Sequence, residues 1–359
     1  MPDRRLFLQQ FAAAVAASAT TPFAAFAASP TLQDLAATRG ILYGSAVAFN
    51  HLSEPAYAQL YVDQCSIIVA ENAMKWARTQ PELGRYDFEQ ADAIVAFGEK
   101  NKMKIRGHNL CWHESQPAWL EQTVNKENAA KILTDHIHTV AGRYAGKIHS
   151  WDVVNEAIEV KDGRPDGLRD SNWLQWLGEA YIPLAFHAAA EADPHAILTY
   201  NDYGLEGDGD WSDKRRAVAL ALLQGLLKIK APVQALGLQS HLNPHADRGT
   251  DYSAFNRFIT EVHNLGLQVF VTELDVETRD LATDPEKLNK QVAQAYANYL
   301  ENVLKHPFVN VILTWGMTTH GHNTAGHKHY EDTEHVLPFN ADLTPGPAFA
   351  AMERALKKR

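Results

Sequence analysis

Ile148-His149-Ser150-Trp151-Asp152-Val153-Val154-Asn155-Glu156-Ala157 runs from a largely apolar stretch straight into an amide and a carboxylate. Buried parallel strands read as near-continuous apolar runs. A polar pair at the mouth of such a strand must face something that needs it, because unpaired polar groups are costly away from water. A second run, Val269-Phe270-Val271-Thr272-Glu273, also ends in a carboxylate.

Outward from these two runs, apolar and amphipathic stretches alternate along the chain. Candidate strands fall at 42–47, 66–70, 104–110, 148–154, 197–200, 235–238, 268–272 and 311–315. Candidate helices fall at 54–64, 87–101, 126–144, 173–192, 211–230, 252–265 and 285–305, with 348–357 closing the chain. Asp87 can cap a helix start, Pro285 follows Asp284 at a first-turn position, and Gly266 ends the stretch 252–265. Alternating strand and helix implies a parallel sheet, and eight such units imply an α/β fold closed as a (β/α)8 TIM barrel. An open doubly wound sheet is the competing arrangement, but no glycine-rich phosphate loop follows the first strand. No Pro/Gly/Ser linker divides the chain, so residues 28–359 read as one catalytic domain.

Barrels of this kind carry their chemistry at the C-terminal ends of the strands. Glu71, Asn72, Lys75 and Trp76 follow the second strand, and His108, Trp112 and His113 follow the third. Asn155 and Glu156, then Asn201, Asp202 and Tyr203, end the fourth and fifth. Gln239, Ser240 and His241, then Glu273 and Asp275, then Trp315, end the last three. Alone, Lys75 would be a solvated charge, His241 a satisfied histidine, and Trp112 or Trp315 a core residue. Together on one rim they describe a polar cleft walled by aromatic rings. Sugars suit such a cleft, since their hydroxyls pair with amides and carboxylates and their C–H faces stack on rings. Cleaving a glycosidic bond needs two flanking carboxyl groups, and Glu156 and Glu273 are the candidates. Asp152, inside its strand, reads as a structural hydrogen-bonding group.

The chain of 359 residues is 46% hydrophobic and 21% charged, which is ordinary globular composition. A net charge of −10 without any Lys/Arg-rich block argues against nucleic acid or an anionic membrane as partner. At the N-terminus Asp3-Arg4-Arg5-Leu6-Phe7-Leu8-Gln9 precedes an alanine-rich run over 11–26, and Ala25-Phe26-Ala27 offers a small-residue cleavage site. Residues 1–27 therefore read as an export signal of the twin-arginine kind, with a periplasmic or extracellular destination. A membrane anchor is disfavoured because the polar break at 18–22 interrupts the apolar span. Cys65 precedes one strand and Cys111 follows the next, which places them near opposite ends of a barrel. At about 3.3 Å per residue that exceeds the ~7 Å limit for a disulfide, so two free, buried thiols are expected.

The strand-end motifs resemble glycoside hydrolase family 10, the retaining endo-β-1,4-xylanases. Trp151-Asp152-Val153-Val154-Asn155-Glu156-Ala157 and Thr272-Glu273-Leu274-Asp275 look like its two signatures. Glu71-Asn72-x-Met74-Lys75-Trp76, Arg106-Gly107-His108, Asp166-Gly167-Leu168-Arg169-x-Ser171, Tyr200-Asn201-Asp202-Tyr203, Gln239-x-His241 and Thr314-Trp315-Gly316 fall in the family's order. The likeness spans about residues 35–351. It implies Glu156 as general acid/base and Glu273 as nucleophile, with the carboxyl groups about 5–5.5 Å apart. Asn155 would then bond the sugar 2-hydroxyl, His241 would bridge Glu273 and Asp275, and Gln239 would touch the acid/base. Glu71, Asn72, Lys75 and His108 would bind the non-reducing sugars. Trp112 and Trp315 would wall the subsite of the cleaved sugar, and Tyr203 would serve the leaving-group side.

Two stretches depart from the family pattern. Trp112-His113-Glu114-Ser115-Gln116 stands where the family reads Trp-His-Ser-Gln, so the substrate amide falls to Ser115 by position or to Gln116 by type. After Trp315 the family's second cleft tryptophan is missing, and five histidines stand from His320 to His335. His-x-His recurs there, but without a cysteine or a helical histidine spacing it reads as a polar lid rather than a metal site. The expectation is a monomeric, cofactor-free xylanase acting on xylan or xylo-oligosaccharides. Its rivals are the same mechanism on another β-linked glycan or a plant glycoside, and a non-catalytic glycan-binding barrel.

Overall fold

The computed structural model describes residues 30–244, 251–278, 281–282, 284–318 and 337–358. The apolar runs become β1 (Leu42–Val47), β2 (Ile67–Ala70), β3 (Lys104–Cys111), β4 (Ser150–Asn155), β5 (Ile197–Asp202), β6 (Ala235–Leu238), β7 (His241–Leu242), β8 (Gln268–Val276) and β9 (Val309–Thr314). All ladders between them are parallel, in the order β6-β5-β4-β3-β2-β1-β9-β8-β7, and β6 also pairs with β8. The sheet therefore closes as an eight-stranded barrel whose sixth strand is broken into β6 and β7. The break falls at Ser240, whose φ is 63°. It carries the strand on to pair His241 with Asp275.

Helices α1 (Leu32–Ala37), α2 (Pro55–Gln64), α3 (Trp76–Thr79), α4 (Glu89–Lys100), α5 (Trp119–Thr123) and α6 (Ala129–Arg143) accompany the first half. The second half carries α7 (Asn172–Leu177), α8 (Tyr181–Ala192), α9 (Asp210–Lys228), α10 (Ser253–Asn264), α11 (Pro285–Val303) and α12 (Pro347–Lys357). The Asp284 side chain accepts from the Lys287 N–H, with Pro285 in the first turn. Gly266 follows α10 with φ 87°. Asp87 lies one residue outside the N-cap, Phe88, and accepts from the Glu89 N–H at 3.1 Å. The single helix expected over 173–192 is two, because Gly178 takes φ 62° and ψ −164°, a conformation no helix can pass through.

Two apolar cores result. The larger lies between sheet and helices and includes Trp151 and Trp173. The smaller fills the barrel interior with Ile67, Val69, Phe270, Val311, Leu313 and Trp315. Arg106 packs over Phe270 at 5.9 Å, donates to Ser150 Oγ at 2.9 Å and pairs with Asp152. A buried charge needs such pairing, so Asp152 is structural as its position in the strand implied. Cys65 and Cys111 are both free and buried.

Candidate active site

Simple alternation from Asp152 would send Val154 into the barrel. Instead the β4–β5 register slips by one residue, from Asp152 opposite Thr199 to Val154 opposite Tyr200. A bulge re-aims every side chain beyond it. Val154 joins the outer core, and Asn155 comes to lie opposite Asn201, whose Nδ2 donates to Asn155 Oδ1 at 2.8 Å. Glu156 follows with a left-handed φ of 58°. Its N–H donates to the Asn201 carbonyl at 2.9 Å, and Arg169 Nε donates to the Glu156 carbonyl at 2.8 Å.

The two candidate carboxylates are joined by amides. Asn155 Nδ2 donates to Glu156 Oε1 at 3.1 Å, and Gln239 Nε2 donates to the same oxygen at 2.9 Å. Asn201 Nδ2, besides its bond to Asn155, donates to Glu273 Oε1 at 2.7 Å. Thr272 Oγ1 fixes the Asn201 amide by donating to its Oδ1 at 2.7 Å. The Asn155–Asn201 pair thus spans the gap from Glu156 to Glu273. The sequence places Asn201 on the rim at the end of its strand but gives it no task of its own.

Glu273 is buried, and burial alone would raise its pKa. The hydrogen bond from His241, the fields of His108 and His241, and the Asn201 amide outweigh that and hold it at about 2. His241 Nε2 lies 3.4 Å from Glu273 Oε2, and its Nδ1 lies 2.8 Å from Asp275 Oδ1. Burial works against the imidazolium, but Asp275 and Glu273 together keep His241 well above its usual pKa. His241 thus stands between Glu273 and Asp275. His108 Nδ1 bonds Asp152 Oδ2 at 2.9 Å and sits 4.0 Å from Glu273 Oε1.

Glu71, Asn72 and Lys75 form a chain beside this centre. Asn72 Nδ2 donates to Glu71 Oε1 and Lys75 Nζ to Asn72 Oδ1, both at 2.9 Å. Lys75 Nζ lies over the Trp112 ring at 5.1 Å and the Trp315 ring at 5.9 Å. His108 meets Trp315 edge-on at 5.2 Å. Burial lowers the Lys75 pKa, while Glu71, Glu273 and Glu156 pull the other way. Trp112 and Trp315 are each less than a tenth exposed, so they stand as walls behind polar groups rather than as open platforms. On the opposite side Tyr203 donates to Glu159 Oε2 at 2.9 Å, and Arg215 covers its ring at 4.1 Å.

Gln116 donates to the Trp112 carbonyl at 2.7 Å and accepts from Asn172 Nδ2 at 2.6 Å, so its amide braces the loop. Ser115 is exposed, with φ 48°. The histidines from His320 to His335 lie outside the described residues. Among the described residues, His108, Asp152 and Glu273 bring ligand-type atoms within 4.8 Å of one another. Arg106 and His108 already hold Asp152, and Asn201 and His241 already hold Glu273. Asp152 thus orients His108 by a hydrogen bond, and His108 in turn faces Glu273 across 4.0 Å.

A closed parallel barrel with two amide-linked carboxylates on its C-terminal rim defines a glycoside-cleaving enzyme of the TIM-barrel class. Residues 31–355 match the model of glycosyl hydrolase family 10, and the chain belongs to that family. It is 33% identical over 336 residues to endo-1,4-beta-xylanase B of Thermotoga neapolitana, covering 91% of this chain and 93% of that one. It superimposes on native xylanase 10B from Thermotoga maritima with a TM-score of 0.81 at 33% identity, over 91% of this chain and 98% of the other. Xylanase 10B from Thermotoga petrophila RKU-1, solved in complex with xylobiose, gives a TM-score of 0.81 at 32% identity, over 91% and 97% of the two chains.

Proposed function

We propose that the chain is a retaining endo-hydrolase of β-1,4-xylosidic linkages, working without a cofactor. The observation that carries this is the amide bridge from Glu156 through Asn155 and Asn201 to Glu273. Glu273, held ionised by His241 and Asn201, attacks the anomeric carbon while Glu156 gives its proton to the leaving oxygen. Water then cleaves the glycosyl-enzyme ester, with Glu156 taking the water's proton. Asn155 is placed to bond the 2-hydroxyl of the sugar undergoing attack, and Gln239 steadies the Glu156 carboxyl. Glu71, Asn72, Lys75 and His108 receive the non-reducing sugars in front of Trp112 and Trp315. Tyr203 meets the leaving group.

Xylan is the substrate favoured by the names of the relatives and by the xylobiose bound to one neighbour. The net charge suits a neutral polysaccharide better than nucleic acid or an anionic membrane. Among the described residues no helix is long and apolar enough to cross a membrane. Export directed by residues 1–27 rests on the Arg4-Arg5 pair and the Ala25-Phe26-Ala27 site. Both readings are checked on chain recovered from outside the cytoplasm of an expressing bacterium. Its N-terminus should be Ala28, and it should release reducing ends from xylan far faster than from cellulose. Cleavage of glucan but not xylan would overturn the substrate, and binding without cleavage would leave a glycan-binding barrel.

A further inference from the structure

One motif takes no part in the two-carboxylate chemistry above, yet its cation points into it. Arg169, in Asp166-Gly167-Leu168-Arg169-x-Ser171, sends Nε to the Glu156 carbonyl at 2.8 Å and Nη2 to the Ile158 carbonyl at 3.3 Å. The same Nη2 donates to Tyr203 Oη at 3.0 Å and lies 3.9 Å from Glu159 Oε2. Its backbone N–H donates to the Ala157 carbonyl at 2.7 Å. The loop reaches this place through Gly167, at φ 70°, where a Cβ would stand 2.4 Å from Val218 Cγ2.

The residue it grips is a strained one. A non-glycine residue in the left-handed region is strained and persists only where its surroundings hold it there. Glu156 has φ 58° and is held on both sides of its Cα, by the Asn201 carbonyl on its N–H and by Arg169 on its carbonyl. That backbone sets where the carboxyl points. No other side chain joins the Glu156 backbone to the leaving-group side among the hydrogen bonds of the described residues.

We propose that Arg169 is a positioning residue for proton donation, locking the Glu156 backbone so that its carboxyl meets the leaving oxygen beside Tyr203. This rests on Glu156 being the acid/base. It makes a prediction that general structural damage would not. A sugar leaving group needs the proton, whereas 2,4-dinitrophenolate departs as a stable anion and does not. Misplacing the donor should slow only the first.

The test compares kcat/KM, which reports the glycosylation step, on xylohexaose and on 2,4-dinitrophenyl β-xylobioside. In Arg169→Met the value should fall about 100-fold on xylohexaose and less than about threefold on the aryl substrate. Arg169→Lys, which keeps the charge and one donor, should fall in between on xylohexaose. If Arg169→Met does not fold by thermal unfolding, the selective loss must appear in Arg169→Lys. Equal losses on both substrates, or no loss on xylohexaose, would overturn the assignment. The wild-type enzyme separates the two layers. An inverted product from the aryl substrate defeats the retaining reading itself, whereas retention with an unselective variant defeats only the role of Arg169.

Discussion

Glu273 is a buried carboxylate whose charge is tenable only through its neighbours. Its pKa of about 2 lies below the ordinary 4.5, so the stability it contributes is present above about pH 4.5 and is lost as pH falls towards 2. His241 is shifted upward, so its contribution is present below about pH 6.5 and fades as pH rises through its raised value. The pair is thus fully stabilising between about pH 4.5 and 6.5. His241→Gln should lose most thermal stability, relative to the parent, in that window. It should also bring an acid limb into kcat/KM about one pH unit or more higher than the parent's, because burial then acts on Glu273 with less to oppose it. An acid limb that does not move would show that His241 does not set the charge of Glu273. Both carboxylates were legible because each ends an apolar run on its own strand. Asn201 was harder to read: an amide at a strand end has no local mark showing that it will reach two partners on different strands.

At the scale of the element, what mattered most left no trace in the hydrophobic pattern. Strand β4 is buried on both faces, so nothing in Val153-Val154 signals that the register slips there and turns Asn155 inward. The eight strands were visible as runs, but β3, β5 and β8 extend past the expected ends. The added stretches of β5 and β8 carry Asn201, Glu273 and Asp275, polar groups of the site, and such polarity reads as loop. Gly178 splitting α7 from α8 was a visible break that a helix-length apolar pattern obscured. Gly237 on β6 shows how tightly the rim is built. A Cβ there would lie 2.2 Å from Asn201 Oδ1 and 3.0 Å from Thr272 Cγ2. Gly237→Ala should therefore displace the Asn201 amide from between the carboxylates. We expect kcat on xylohexaose to drop about 100-fold, with a loss of about 1–3 kcal/mol in denaturant unfolding. Unchanged kcat with intact folding would mean that Asn201 has room to move without consequence.

Across the whole molecule, closure of the sheet turns separate strand ends into one rim. Glu71, His108, Glu156, Asn201, Gln239, Glu273 and Trp315 are far apart in the chain and come from seven different strands or their following loops. The barrel interior beneath them is filled by Phe270, its apolar neighbours and the Arg106–Asp152 pair, which gives the rim a rigid floor. Alternation of strand and helix made that closure readable, since eight parallel units have few other ways to bury both faces of the sheet. On this floor the amide bridge sets one carboxylate to attack and the other to donate, and the two must work in a double displacement. That is tested most directly by following xylohexaose hydrolysis by proton NMR before the products mutarotate. The first new reducing ends should be β-anomers, with Glu273→Ala forming none above background. Initial formation of the α-anomer would contradict the account.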